Sequence, residues 1–212
     1  MKNLTILLII LTTASCKDKN EKLIESSKPT VETEDIKIKE KTDTAKIANR
    51  LNEVMNEEDI LFNGKLKRYF SLKEFEDVFG KADSIKLMSA DEPCSYIFEN
   101  EDGSKDMEDK YLYKNGSRFE NTKEKVAVDE FRFVKNNFIL YKGMKLNSTT
   151  SINELHKIFP NAMKDIRSID VYGEGKLQVI RLREDENNVS DGHINIFIKN
   201  DKLFFMHWWF PC

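Results

Sequence analysis

The sequence predicts an α+β protein. Two tandem repeats, each a short helical start followed by about four antiparallel strands, form a curved sheet with helices on one face. Three observations carry this expectation. A capped apolar stretch near residue 64 recurs near residue 144. A strand-turn-strand pattern recurs in the second half of each unit. Both helical stretches are short and need a sheet to pack on.

The first element is a leader. "MKNLTILLIILTTASCKDKN" opens with Lys2, runs apolar from Leu4 to Leu11, and passes through small residues to Cys16. The apolar run is too short to cross a bilayer of about 30 Å as a helix and fits the core of a secretory signal over 1–15. "TASC" resembles the lipobox of bacterial lipoproteins, although Thr13 stands where that pattern usually has Leu. The resemblance implies cleavage before Cys16, acylation of that residue with fatty chains such as palmitate, and attachment to the membrane through the lipid. A plain secretory signal is the alternative. At ~0.8 kcal/mol for each buried CH₂, several acyl chains hold a protein where one would not. Lys17 follows the cysteine, so the Asp that retains enterobacterial lipoproteins on the inner membrane is missing. The expected location is the outer membrane of a Gram-negative cell envelope.

Residues 16–42 are charged, nearly balanced and without aromatics, which reads as a flexible tether. Over 43–60, Ile47, Leu51, Val54 and Met55 recur at helical spacing and predict a short amphipathic helix.

The repeats occupy 61–142 and 143–212. "GKLKRYFSLKEFEDVFGKA" from Gly64 aligns without a gap on "MKLNSTTSINELHKIFPNA" from Met144. Ser71 with Glu74, and Ser151 with Glu154, form S-x-x-E capping boxes at helix starts. Leu72, Phe75, Val78 and Phe79 make one apolar stripe; Ile152, Leu155, Ile158 and Phe159 make the other. Gly80 and Pro160 stop the helices. "FRFVKNNFILY" (131–141) and "NIFIKNDKLFF" (195–205) both read as strand, turn, strand. Asn115-Gly116 suits a type I′ hairpin turn.

A helix closing on "DVFGKAD" before an antiparallel meander resembles the fold of the small SmpA-type outer-membrane assembly lipoproteins. Two such units in tandem resemble the β-lactamase inhibitory protein fold. That resemblance implies a concave sheet that grips a protein partner. No partner-contact residue of that family maps onto a position here.

The terminal hairpin is where a binding surface is expected. With a two-residue turn at Asn200-Asp201, Ile198, Ile196 and Ile194 share the core face. Phe197, Phe204, Met206, Trp208 and Phe210 then share the other face, with Arg132 and Tyr141 extending it from the first unit. Large exposed apolar patches mark interaction sites. If a loop or the 43–57 helix covers that face, the same aromatics form a second core. A three-residue turn would exchange the faces.

The remaining chemistry narrows the function. Net charge is −3 and falls by one when Lys2 leaves with the leader, so the chain carries no nucleic-acid footprint. Once Cys16 is lipidated, Cys94 and Cys212 remain, and an oxidising envelope allows them to pair or to stay as thiols. "ENEDGSKDMED" fails the EF-hand register because Gly103 at position six puts Phe98 at position one. His193 and His207 without a third ligand make a poor zinc site. No serine sits in a G-x-S-x-G elbow. The expectation is a non-enzymatic module without metal or cofactor. It binds an envelope or secreted protein as an inhibitor, immunity or assembly factor. The alternative is capture of a small apolar ligand on the aromatic sheet face.

Overall fold

The structure is a computed structural model that describes residues 51–212, Glu92 and Cys94 excepted. The leader, Cys16, the tether and Cys94 therefore lie outside the described residues. The described residues belong to one compact unit.

That unit is mostly β. The strands are β1 (Ile60–Phe62), β2 (Tyr69–Ser71), β3 (Ser84–Leu87), β4 (Lys110–Lys114), β5 (Ser117–Thr122), β6 (Lys125–Arg132), β7 (Phe138–Tyr141), β8 (Met144–Asn147), β9 (Arg167–Val171), β10 (Gly175–Arg183), β11 (His193–Lys199) and β12 (Lys202–Trp209). Two α-helices interrupt them, α1 (Leu72–Phe79) and α2 (Ile152–Ile158). Nine strands make one antiparallel sheet in the order β3-β4-β5-β6-β12-β11-β10-β9, with β2 also paired to β6; β1-β7-β8 make a second sheet. Among the described residues, no helix is long and apolar enough to cross a membrane.

The expected α+β tandem repeat is corrected by this architecture. A second sheet exists that the repeat scheme did not contain. The hairpin expected over 131–141 does not form, because β6 belongs to the large sheet and β7 to the small one. The link between them crosses layers: Phe133 N–H donates to Phe204 O at 2.9 Å, and the Asn137 side chain turns back to Arg132 O at 3.0 Å. The helices are only eight and seven residues long and act as local plugs beside the small sheet.

Local readings fare differently. Both capping boxes form, with Ser71 and Ser151 side chains accepting from Glu74 and Glu154 N–H. Asn115-Gly116 and Asn200-Asp201 both turn with positive φ, as a twisted two-residue hairpin requires. The amphipathic helix expected over 43–60 is absent from its described part, 51–60. Met55 N–H donates to Arg183 O at 2.9 Å and Val54 bridges Arg183 in parallel, so this segment is extended along β10. Glu53 accepts from Asn161 and Ala162 N–H at 2.8 and 2.9 Å, which fastens it to the turn after α2.

The core lies between the two sheets and the helices. Phe131 of the large sheet meets Phe62 of β1 at 4.8 Å and Phe79 of α1 at 6.3 Å, so small sheet and helix share one face of the large sheet. Phe75 and Phe79 pack edge-on and tilted against Phe119 at 5.1 and 5.2 Å. The opposite face holds a smaller cluster of Leu177, Phe197 and Phe205.

Candidate functional site

The register of the last hairpin decides what the outer face of the large sheet offers. Lys199 pairs with Lys202 and Ile198 with Leu203, as a two-residue turn demands. A bulge then inserts one extra residue after Ile198, so Phe197 pairs with Phe205, Ile196 with Met206, Asn195 with His207, Ile194 with Trp208 and His193 with Trp209. Because strand side chains alternate, that single residue exchanges the faces of the rest of β12. Met206 and Trp208 are core residues, Trp208 only 2% exposed. Phe205, His207 and Trp209 take the outer face, with Trp209 39% exposed.

The expected partner surface is corrected accordingly. Tyr141 is buried in the small sheet, where its hydroxyl donates to Val54 O at 3.0 Å and its ring packs on Phe159 at 5.6 Å. Phe197, Phe204 and Arg132 do come together. Phe197 stacks on Phe205 at 4.1 Å, and Arg132 lies over Phe204 and Phe205 at 5.4 and 4.9 Å. Arg132 is itself held by Glu130 at 2.7 Å and Glu174 at 2.5 Å, so its fork is already occupied. Phe210 packs against the main core beside the C-terminus.

A cleft of about 620 Å³ sits where β12 leaves β6. β6 pairs with β12 over Glu130–Arg132 and with β2 over Lys125–Ala127. Arg68 closes the gap: its carbonyl accepts from Val128 N–H at 3.0 Å, and its buried guanidinium lies 4.6 Å over the Trp208 ring. Glu57 at 3.1 Å and Glu184 at 4.0 Å balance its charge; Nη2 has no hydrogen-bond partner, and the guanidinium carbon lies 5.2 Å from the Tyr69 ring and 5.6 Å from the Phe210 ring.

The floor of the cleft is the outer face of β4, β5 and β6. Tyr111, Arg118, Glu120 and Asp129 stand there beside His207 and Trp209 of β12. Arg118 Nε donates to Asp129, and its guanidinium stacks 5.0 Å from the Tyr111 ring. His207 Nε2 lies 3.5 Å from the other Asp129 oxygen. Burial by itself raises the Asp129 carboxyl, but the His207 contact and the Arg118 charge outweigh it and hold the group below the usual carboxylate range. Asp129 is therefore a fixed anion between two donors.

Glu120 does different work. It is 2% exposed, and its two oxygens accept from Ile97 N–H at 3.0 Å and Phe98 N–H at 2.8 Å. It thus latches residues 95–99 over the sheet as one wall of the cleft. Burial pushes its carboxyl up to about 7, although the two N–H donors oppose this. Between 4.5, the ordinary value, and about 7 the folded chain holds the extra proton, so rising pH costs stability through this group. Glu120→Gln should remove that loss, amounting to roughly 3 kcal/mol at most across the window. Subtracting variant from wild-type urea stabilities at each pH isolates it; a difference that does not change from pH 4.5 to 7 contradicts the assignment.

Cys212, at the end of the tail, is disulfide-bonded, and it lines the same cleft as Pro93 and Ser95. No cluster of three metal-ligating side chains occurs among the described residues. The alternation in "SRFENT" (117–122) does signal that Arg118 and Glu120 oppose Phe119. The bulge between Arg118 and Phe119, and the approach of residues 95–99, have no local sequence signal. No protein-family model matches this chain, and neither a curated protein nor a solved structure does.

Proposed function

We propose that this chain is a non-catalytic capture module of the Gram-negative cell envelope, held on the membrane by acylated Cys16, and that the cleft under residues 95–99 takes its ligand. The cleft itself carries the reading: several hundred Å³, walled by Tyr69, Tyr96, Tyr111 and Trp209, with a few fixed polar groups, is the common form of a small-molecule site. A protein-partner surface built on Met206 and Trp208 has lost its two central residues to the core. The ligand reading also gives the Glu120 latch on residues 95–99 a purpose, since a latched wall completes a concavity that the sheet alone leaves open.

Two measurements test the two halves. Cys16→Ala should move the protein from membrane to soluble fractions, and unchanged membrane retention would defeat the anchor. Trp209→Ala should abolish ligand-induced change in tryptophan emission while the melting temperature stays within a few degrees of wild type. An undiminished response in that variant would place the ligand elsewhere.

A further inference from the structure

We propose that the ligand is a short, uncharged oligosaccharide, lying across the strands of the large sheet with Trp209 as the platform between neighbouring sugar units. This rests on the cleft being the ligand site.

A second concavity, of about 390 Å³, shares His207 and Trp209 with the first. Together they make a trough rather than a single pit. By register, Arg118 and His207 both stand opposite Glu130, His207 opposite Asn195, and Asn195 opposite Arg181. These side chains cross five strands, β5-β6-β12-β11-β10, a span of roughly 19 Å at ~4.8 Å between neighbours. An oligomer fits that length; a single small ring does not use it.

The chemistry of the row selects among oligomers. The floor is the face of a sheet, whose backbone donors and acceptors are committed to the ladder. A peptide recognised by strand addition needs an edge, not a face. What the face presents is side chains only: planar polar groups of both signs, with Ile169, Val179 and Phe197 among them in the second concavity. Arg118 is paired with Asp129, and Asp165 lies with Arg167 and Arg181 in the second concavity. His193 there titrates near 4, through burial first and then the Arg181 charge, so it is neutral at pH 7. Counted over both concavities, four arginines face five carboxylates, so the charges nearly cancel and little net field draws a polyanion or a polycation. Planar donors and acceptors beside exposed aromatic rings do match a pyranose, which has hydroxyls around its rim and apolar C–H groups on its faces. Trp209 is held ready to stack on such a ring. Its indole lies 4.5 Å from the His193 ring, tilted by 33°, which fixes one face and leaves the side chain 39% exposed.

The test uses the full chain in detergent, titrated with neutral glucan, mannan and chitin oligomers from dimer to hexamer, read by tryptophan emission and calorimetry. At least one series should bind saturably, more tightly as the chain grows beyond a dimer. Affinity should fall about tenfold in Trp209→Ala and in Arg181→Ala, with both variants melting like wild type. No binding of any series, or equal binding by Trp209→Ala, would overturn the saccharide assignment. Envelope lipid extract and a tryptic peptide pool serve as further probes. If either elicits a Trp209-dependent response while the glycans do not, the saccharide is rejected and the cleft stands. If none of the three probes does, both are rejected.

Discussion

Trp208→Ala should destabilise the protein by about 3–5 kcal/mol, the range for removing a large aromatic side chain from a packed core. Trp208 is 2% exposed and faces Phe62 at 6.0 Å, with the Arg68 guanidinium 4.6 Å over its ring. Its loss opens a cavity between the sheets and also strips Arg68 of an aromatic partner. That leaves a buried cation with Glu57, Glu184 and two poorer rings. For a folded unit of this size the melting temperature should fall by roughly 10 °C. The same substitution one residue on, Trp209→Ala, should cost about 1 kcal/mol or less, because that side chain is 39% exposed. Urea unfolding of the two variants side by side measures the contrast. Comparable losses, or a larger loss at Trp209, would mean that the hairpin register is wrong.

The second large effect concerns the C-terminus. Cys212 is disulfide-bonded, and the only other cysteines in the chain are Cys16 and Cys94. We infer that Cys94 is the partner, because Pro93 and Ser95 on either side of it line the same cleft as Cys212. A bridge from residue 94 to 212 closes a loop of more than a hundred residues, worth about 4–5 kcal/mol in the chain-entropy model. Cys212→Ser should therefore lower stability by several kcal/mol. Cys94→Ser should do the same, and the double variant should lose no more than either alone. Additive losses, or a Cys212→Ser protein as stable as wild type, would reject the bridge.

The contrast between what was legible and what was not has a physical basis. Capping boxes and two-residue turns are set by residues three or four apart, so Ser71/Glu74, Ser151/Glu154, Asn115-Gly116 and Asn200-Asp201 could be read directly. The fold class could not. "FRFVKNNFILY" has the composition of a hairpin, but whether β7 folds back on β6 or crosses to β1 depends on which distant strand is free to pair. Residues 51–56 carry helical spacing, yet an open backbone on β10 captured them as an extended segment. Tertiary pairing overrides local period when a long strand offers unpaired donors and acceptors.

The site failed for a narrower reason. The turn, and the pairing of Ile198 with Leu203, followed from the sequence. One bulged residue beyond them reversed every later side chain. Met206 and Trp208 moved inward while His207 and Trp209 moved outward. Nothing in "KLFFMHWWFPC" distinguishes Trp208 from Trp209 by composition; the backbone defect alone does. Arg118 and Glu120 flank Phe119 and could have been assigned to the outer face, but Asp129, followed by Glu130 and skipped by the register shift, could not. Their convergence with Tyr69, Tyr96 and the C-terminal tail depends on contacts between distant parts of the chain.

The inward place of Trp208 and outward place of Trp209 underlie both the core and the cleft, and the chain has no other tryptophan. Acrylamide quenching of two single-tryptophan proteins, Trp208→Phe and Trp209→Phe, separates them cleanly. The protein that keeps only Trp209 should be readily quenched and emit at long wavelength. The protein that keeps only Trp208 should be blue-shifted and shielded. The opposite pattern, or equal access in both, would contradict the bulged register and the cleft built on it.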